Sequence, residues 1–152
     1  MLAKDVMTKD VITVHENETV KDVAKILTKH GISGLPVVDG EEEMVGVITE
    51  QDLIVRNKKL HFPEYIYLLD SIIYLESLRD FEEEFKKMVG TKVGEVMTRD
   101  IISVDKENPI EEIATLMVEK GINRVPVLDS GELVGIISRA DIVNLLAEEG
   151  GD

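Results

Sequence analysis

The sequence predicts an α/β (α+β) protein in which one β–α–β–β–α unit is built twice. Two stretches carry the same key residues in the same order: Gly31–Asp52, GISGLPVVDGEEEMVGVITEQD, and Gly121–Asp141, GINRVPVLDSGELVGIISRAD. The match extends upstream, because VMTKDVITV from Val6 is echoed by VMTRDIISV from Val96. A repeat of this length indicates one structural unit that occurs twice, and it predicts two related sites that face each other.

The first helix of each copy follows a short extended stretch, which in the first copy is the β-branched run Val11–Val14. Thr19 and Asp22 predict the N-terminal cap of this helix, and Gly31 its left-handed C-terminal residue. Apolar residues recur at i, i+3, i+4 and i+7, which predicts a helix face packed in the core. They are Val20, Val23, Ala24 and Leu27, and in the second copy Ile110, Ile113, Ala114 and Met117, between a start at Asn108-Pro109 and an end at Gly121.

Two strands and a second helix complete each copy. The first strand holds a proline, Pro36 or Pro126, which we expect at the start of the strand or on an edge. Turn residues follow it, at Asp39-Gly40 and Asp129–Gly131. The second strands are predicted at Met44–Ile48 and Leu133–Ile137, and the last helices begin at Thr49 and Ser138.

The segment between the copies has no counterpart elsewhere in the chain. It runs from about Lys58 to Lys92 and contains all of the phenylalanines and tyrosines. Its apolar periodicity predicts one or two helices, with Pro63 as a helix start. The aromatic side chains either pack against the repeats or a second subunit, or form a docking surface for a partner protein. The predicted domains are therefore 1–57, a helical insertion at 58–92, and 93–149.

The composition argues against several classes of function. The formal net charge is −14, from 31 acidic and 17 basic residues, and such a surface repels nucleic acid and anionic membranes. The chain contains no cysteine, and it has neither a membrane-spanning apolar run nor a signal-like N-terminus, so we expect a cytoplasmic protein. Phosphate-binding and nucleophile glycine motifs are absent, and His15, His30 and His61 lack metal-ligand spacing. No enzymatic activity and no metal site are predicted.

A hydroxyl followed three residues later by a carboxylate marks the junction of the last strand and helix in each copy, as Thr49 with Asp52 and Ser138 with Asp141. A capping box explains this pattern without any ligand. A glycine three residues before each hydroxyl, however, would let another group approach the strand closely. A helix N-terminus suits phosphate and a carboxylate suits vicinal sugar hydroxyls, so the pattern is also compatible with a nucleoside phosphate.

The two copies resemble CBS (cystathionine-β-synthase-type) domains, and the chain resembles a stand-alone CBS pair, or Bateman module. The resemblance is carried by GISGLPVVD with VGVITEQDL and by GINRVPVLD with VGIISRADI. It implies two domains packed as a pseudo-two-fold pair. It also implies two clefts between them for AMP, ADP, ATP or S-adenosylmethionine, with the aspartate on ribose and the Ser or Thr near phosphate. Members of this family commonly form flat homodimers.

The resemblance assigns residues to two unequal clefts. The tighter one is expected at Val11, Ile12, Ile32, Ser33, Asn123, Arg124, Ser138 and Asp141. The second is expected at Gly34, Thr49, Asp52, Ile101, Ile102 and Ile122. Arg124 and Arg139 face the first cleft where Gly34 and Glu50 stand in the second, so in a chain of charge −14 a phosphate should prefer the first.

The resemblance predicts a regulatory module that senses adenosine nucleotides without chemistry and acts through its own dimer or an effector protein. No cofactor is required, although Mg²⁺ is compatible with ATP as the ligand. Two alternatives remain: a protein-interaction and dimerisation module whose clefts are vestigial, and a module that binds S-adenosylmethionine.

Overall fold

The structure is a computed structural model that describes residues 1–54, 65–68, 71–74 and 78–149. Both copies show the predicted order of elements, and the mixed α/β fold is confirmed. The elements are α1 (Ala3–Val6), β1 (Val14–His15), α2 (Val20–His30), β2 (Gly34–Val38), β3 (Met44–Thr49), α3 (Glu50–Ile54), β4 (Tyr65–Leu68), β5 (Ser71–Tyr74), α4 (Leu78–Val89), α5 (Val93–Val96), β6 (Val104–Asp105), α6 (Ile110–Lys120), β7 (Arg124–Asp129), β8 (Glu132–Ser138) and α7 (Arg139–Glu149).

Each copy builds a three-stranded sheet, β1-β2-β3 or β6-β7-β8. The short first strand runs parallel to the central one, and β7 runs antiparallel to β8. Pro126 is the third residue of the central strand β7, so it does not start the strand, although it has the edge environment that the sequence predicts. Pairing with β6 begins only at Val127, so the strand has a neighbour on one side alone at Pro126, where the missing N–H is tolerated.

The caps of the first long helix are formed as predicted. The Thr19 amide donates to Asp22 Oδ2 (2.9 Å), and the Asp22 amide donates to Thr19 Oγ1 (3.3 Å). The hydrogen bonds from the Thr19 amide and hydroxyl lower the pKa of the Asp22 carboxyl. Gly31 and Gly121 end α2 and α6 with φ of 62° and 63°, the left-handed conformation that glycine tolerates best. Pro109 is the N-cap of α6, one residue before the predicted position.

The chain forms two compact units that do not coincide with the two copies. The Asp141 unit contains Met1–Thr13, Glu41–Met44 and Asp100–Asp152, and the Asp52 unit contains Val14–Gly40 and Val45–Arg99, each within the described residues. Ala3, Ile113, Met117, Val125, Val127 and Ile137 belong to the core of the Asp141 unit. In the Asp52 unit the predicted helix face buries Val20, Val23 and Leu27, whereas Ala24 is exposed.

The division into units arises because the segment before each copy pairs with the last strand of the other copy. Thr8 exchanges two backbone hydrogen bonds with Ile136 of β8 (2.9 and 3.1 Å). Thr98 does the same with Val47 of β3 (2.8 and 2.9 Å). The VMT segments, Val6–Thr8 and Val96–Thr98, therefore extend the sheets of the copies to which they do not belong in sequence. The boundaries 1–57, 58–92 and 93–149 stay a prediction about the sequence repeats.

Glycines in β3 and β8 make room for these VMT segments. A Cβ atom on Gly46 would lie 2.7 Å from Met97 Sδ and 2.8 Å from the Thr98 carbonyl oxygen. A Cβ atom on Gly135 would overlap Met7 Sδ and lie 2.7 Å from Met7 Cγ. The group that approaches each strand closely is thus a methionine of the same chain, so the repeated glycine is explained by packing and not by a ligand.

The segment between the copies contains an antiparallel hairpin, so the prediction of a purely helical insertion is wrong in part. Tyr65–Leu68 pairs with Ser71–Tyr74, with Tyr65 opposite Tyr74. Tyrosine and isoleucine dominate these strands, and both favour extended backbone over helix. Only two residues separate the strands in sequence, which is a common hairpin loop length. The helix predicted from RDFEEEFKKMVG is present as α4, whereas Pro63 lies outside the described residues.

We predict that Gly46→Ala destabilises the protein by about 1–3 kcal/mol, because the added methyl group meets backbone that cannot rotate away. Gly40→Ala is the matched control, since its Cβ would lie 3.9 Å from the nearest atom and its φ is not positive. We expect the control to change stability by less than about 0.5 kcal/mol. Urea unfolding measures both, and equal stability of Gly46→Ala and the unsubstituted protein would contradict the packing described.

Candidate functional site

The junction of β8 and α7 in the Asp141 unit forms a reciprocal cap. The Ser138 amide donates to Asp141 Oδ2 (2.8 Å), and the Asp141 amide donates to Ser138 Oγ (3.2 Å). The capping box predicted from the sequence is therefore present, and it holds the Asp141 carboxylate at the first turn of an eleven-residue helix. Asp141 remains half-buried, so part of its side chain is open to a solute.

The start of β7 brings two arginines to the same place. Arg124 lies directly opposite Ser138 in the β7–β8 register. The Arg139 amide donates to the Asn123 carbonyl (2.9 Å), and Arg139 Nε donates to the Ile122 carbonyl (3.1 Å). These contacts bring the backbone positions of Asn123, Arg124, Ser138, Arg139 and Asp141 together at one end of the sheet. Two guanidinium groups, a hydroxyl and a carboxylate in one cluster can bind a ligand that carries both phosphate and hydroxyl groups.

The equivalent junction in the Asp52 unit has the same cap but a more enclosed carboxylate. The Thr49 amide donates to Asp52 Oδ2 (3.0 Å), and the Asp52 amide donates to Thr49 Oγ1 (3.4 Å). The Thr98 hydroxyl adds a hydrogen bond to Asp52 Oδ1 (2.9 Å). Asp52 is only 4% exposed, and it is the one buried charged residue of the described chain.

The charges around the Asp52 carboxylate differ from those around Asp141. The Glu50 amide donates to the Ser33 carbonyl (2.9 Å), just as the Arg139 amide donates to the Asn123 carbonyl. Glu50 therefore occupies the place of Arg139, and the buried Gly34 occupies the place of Arg124. The difference in charge that the sequence predicts between the two sites thus arises from residues at equivalent positions in the fold.

The structure brings some of the predicted site residues together within each unit. The Asp141 unit contains Val11, Ile12, Asn123, Arg124, Ser138 and Asp141 of the tighter set, and the Asp52 unit contains Gly34, Thr49 and Asp52 of the second set. The other predicted residues lie in the opposite unit: Ile32 and Ser33 in the Asp52 unit, and Ile101, Ile102 and Ile122 in the Asp141 unit. Their assignment to shared clefts stays a prediction.

Thr98 is a site residue that the sequence reasoning missed. Its repeated context, VMTKD and VMTRD, is visible in the sequence. The motif lies before the second copy, however, and nothing in its spacing indicates that its hydroxyl reaches the aspartate of the first.

Other kinds of site find no support among the described residues. Within them, no group of three or more His, Asp or Glu side chains is placed to hold a metal ion. In the same part of the chain, no helix is both long and apolar enough to cross a bilayer.

Known proteins resemble this chain in sequence over most of its length. A family model described as "CBS domain" matches residues 3–58 and 93–148. An uncharacterized protein of Methanocaldococcus jannaschii is 36% identical, over 96% of this chain and 91% of that protein. The L-aspartate semialdehyde sulfurtransferase of the same organism is 31% identical over 95% of this chain, which spans 23% of that enzyme.

Two solved structures share this fold. The CBS domain pair of protein MJ0100, in complex with 5'-methylthioadenosine and S-adenosyl-L-methionine, matches with a TM-score of 0.70 and 29% identity, covering 98% of both chains. CBSX2 in complex with AMP matches with a TM-score of 0.73 and 25% identity, covering 99% of this chain and 98% of that chain. The molecules bound in those two proteins all contain adenosine.

We predict that Asp52→Ala destabilises the protein more than Asp141→Ala. Removing Asp52 takes the charged acceptor away from the Thr49 amide and the Thr98 hydroxyl in a partly buried place, which costs about 1–3 kcal/mol. Removing Asp141 loses a half-buried cap, which costs about 1 kcal/mol. Urea unfolding without ligand measures both variants, and the reverse order would contradict the difference in burial and bonding between the two carboxylates.

Proposed function

The chain belongs to the CBS domain family, and from this premise we propose that it is a regulatory module that binds an adenosine nucleotide at Asp141 without transforming it. The cluster of Asn123, Arg124, Ser138, Arg139 and Asp141 is the observation that carries the proposal. A nucleoside phosphate has the two features that this cluster can recognise, which are a sugar diol and an anionic group.

The Asp141 carboxylate is suited to the ribose. A carboxylate accepts hydrogen bonds and donates none, and its two oxygens can receive two adjacent hydroxyl groups. The Ser138 amide occupies one lone pair of Oδ2 and fixes the orientation of the side chain. The remaining acceptor sites face a half-exposed position, where a ligand can reach them.

Arg124 and Arg139 are suited to the phosphate. The chain has a net charge of −14, so an anionic ligand needs local positive charge to overcome the overall repulsion. Arg124 is half-buried opposite Ser138, and Arg139 is exposed at the N-terminus of α7, where the positive end of the helix dipole also favours an anion. Gly34 and Glu50 supply no such charge at Asp52, so we expect the Asp141 site to bind more tightly.

S-adenosylmethionine is the second candidate, because one similar structure holds it together with 5'-methylthioadenosine. It shares the adenosine but lacks phosphate, so it would use Asp141 and gain little from the arginines. We further propose that no cofactor is needed, that Mg²⁺ enters only with ATP, and that the module acts through a homodimer or an effector protein.

We predict that AMP raises the melting temperature, because a ligand that binds only the folded state stabilises it by mass action. Calorimetry should show that Asp141→Ala abolishes the tighter binding event. Arg124→Ala should weaken it by about ten- to a hundredfold, as expected when a charge-assisted hydrogen bond is lost. Lys120→Ala, which removes one exposed charge from the same unit, is the matched control and should leave the affinity unchanged.

Three results would decide against this proposal. If millimolar AMP, ADP, ATP and S-adenosylmethionine all leave the melting temperature unmoved, the module does not sense adenosine ligands. If Asp52→Ala abolishes the tighter event while Asp141→Ala preserves it, the assignment of the site is wrong. Turnover of any of these ligands would show an enzyme.

A further inference from the structure

The Asp52 carboxylate is occupied by donors of the protein itself. Oδ2 accepts from the Thr49 amide (3.0 Å) and hydroxyl (3.5 Å), and Oδ1 accepts from the Thr98 hydroxyl (2.9 Å). Asp52 also takes part in a further interaction, and its side chain is almost completely buried. A ligand hydroxyl that approaches Oδ1 must therefore compete with a hydrogen bond that already exists.

The Asp141 carboxylate has no such internal competitor. Among the described residues, the Ser138 amide is its one hydrogen-bond donor, and it donates to Oδ2. Thr8 is the counterpart of Thr98, since each threonine exchanges two backbone hydrogen bonds with the glycine-containing strand beside it. Thr8 is exposed, however, and within the described chain no hydrogen bond joins its hydroxyl to Asp141.

We propose that Thr98 is the specificity-determining residue that makes a nucleoside ligand bind at Asp141 and not at Asp52. The Thr98 hydroxyl donates to the Asp52 carboxylate and so takes the place that a sugar hydroxyl of the ligand would need. This inference rests on the proposed function, because it assumes that the aspartates receive the ribose. It adds a cause that is independent of the arginines, since it operates on the sugar and not on the phosphate.

The surrounding structure fixes the position of Thr98 beside Asp52. The Thr98 amide and carbonyl both form hydrogen bonds with the backbone of Val47. The preceding residue, Met97, packs against Gly46 and is only 4% exposed. The fold therefore holds the Thr98 backbone at a place from which its hydroxyl reaches the Asp52 carboxylate. A ribose hydroxyl must displace it or share the oxygen, and the loss of one hydrogen bond to a charged group lowers affinity by about ten- to a hundredfold.

Isothermal titration with AMP, an adenosine phosphate whose ribose presents the diol, tests the proposal on the full chain. The unsubstituted protein should show one tight event per chain, with any second event at least about tenfold weaker. Thr98→Val removes the hydroxyl while keeping the shape, and it should tighten or create the second event by about ten- to a hundredfold. Thr98→Ser, which keeps the hydroxyl, and the matched variant Thr8→Val should both resemble the unsubstituted protein.

Circular dichroism establishes that each variant is folded, and Thr98→Ala removes the same hydroxyl if the valine variant is not. Two equal events in the unsubstituted protein, or a second event that no Thr98 substitution changes, would overturn the role of Thr98 while leaving nucleotide sensing intact. Absence of AMP binding in every variant would remove the proposed function, and this inference with it.

Discussion

The pairing of each VMT segment with a glycine-containing strand is the interaction on which the rest of the structure depends. Two backbone hydrogen bonds hold Thr98 to Val47 and Thr8 to Ile136, and a methionine beside each threonine fills the space that glycine leaves. Each three-stranded sheet of this chain is small, and because a small domain buries a smaller fraction of its surface than a large one, additional apolar cover matters for its stability. The VMT segment contributes backbone pairing and apolar cover to a sheet that comes from another part of the sequence.

The same pairing determines what surrounds each aspartate. The strand that receives the VMT segment ends at the hydroxyl residue of the capping box, so the segment passes beside the first turn of the following helix. In the Asp52 unit this places the Thr98 hydroxyl on the carboxylate, whereas in the Asp141 unit Thr8 stays exposed. One capping box is consequently a buried structural feature, and the other leaves a carboxylate that a solute can reach.

Capping and ligand binding draw on the same chemical groups. A carboxylate at the third position of a helix satisfies backbone amides, and its remaining lone pairs can accept further hydrogen bonds. A motif of hydroxyl, two residues and carboxylate is therefore compatible with either role, and the neighbours of the motif decide between them. Here the neighbours are Thr98 and Glu50 at one junction, and Arg124 and Arg139 at the other.

The sequence by itself determined the repeated β–α–β–β–α unit, both capping boxes and the glycine helix ends, because each depends on residues close together in the chain. The sequence pattern predicts helix where the structure has the paired strands Tyr65–Leu68 and Ser71–Tyr74, since short apolar runs satisfy both periodicities. Only the tertiary structure decided which strand each VMT segment joins, and that Thr98 reaches Asp52 across 46 positions of sequence. Such contacts depend on the tertiary fold, which brings distant segments of the chain together, and local residue patterns do not predict which segments meet.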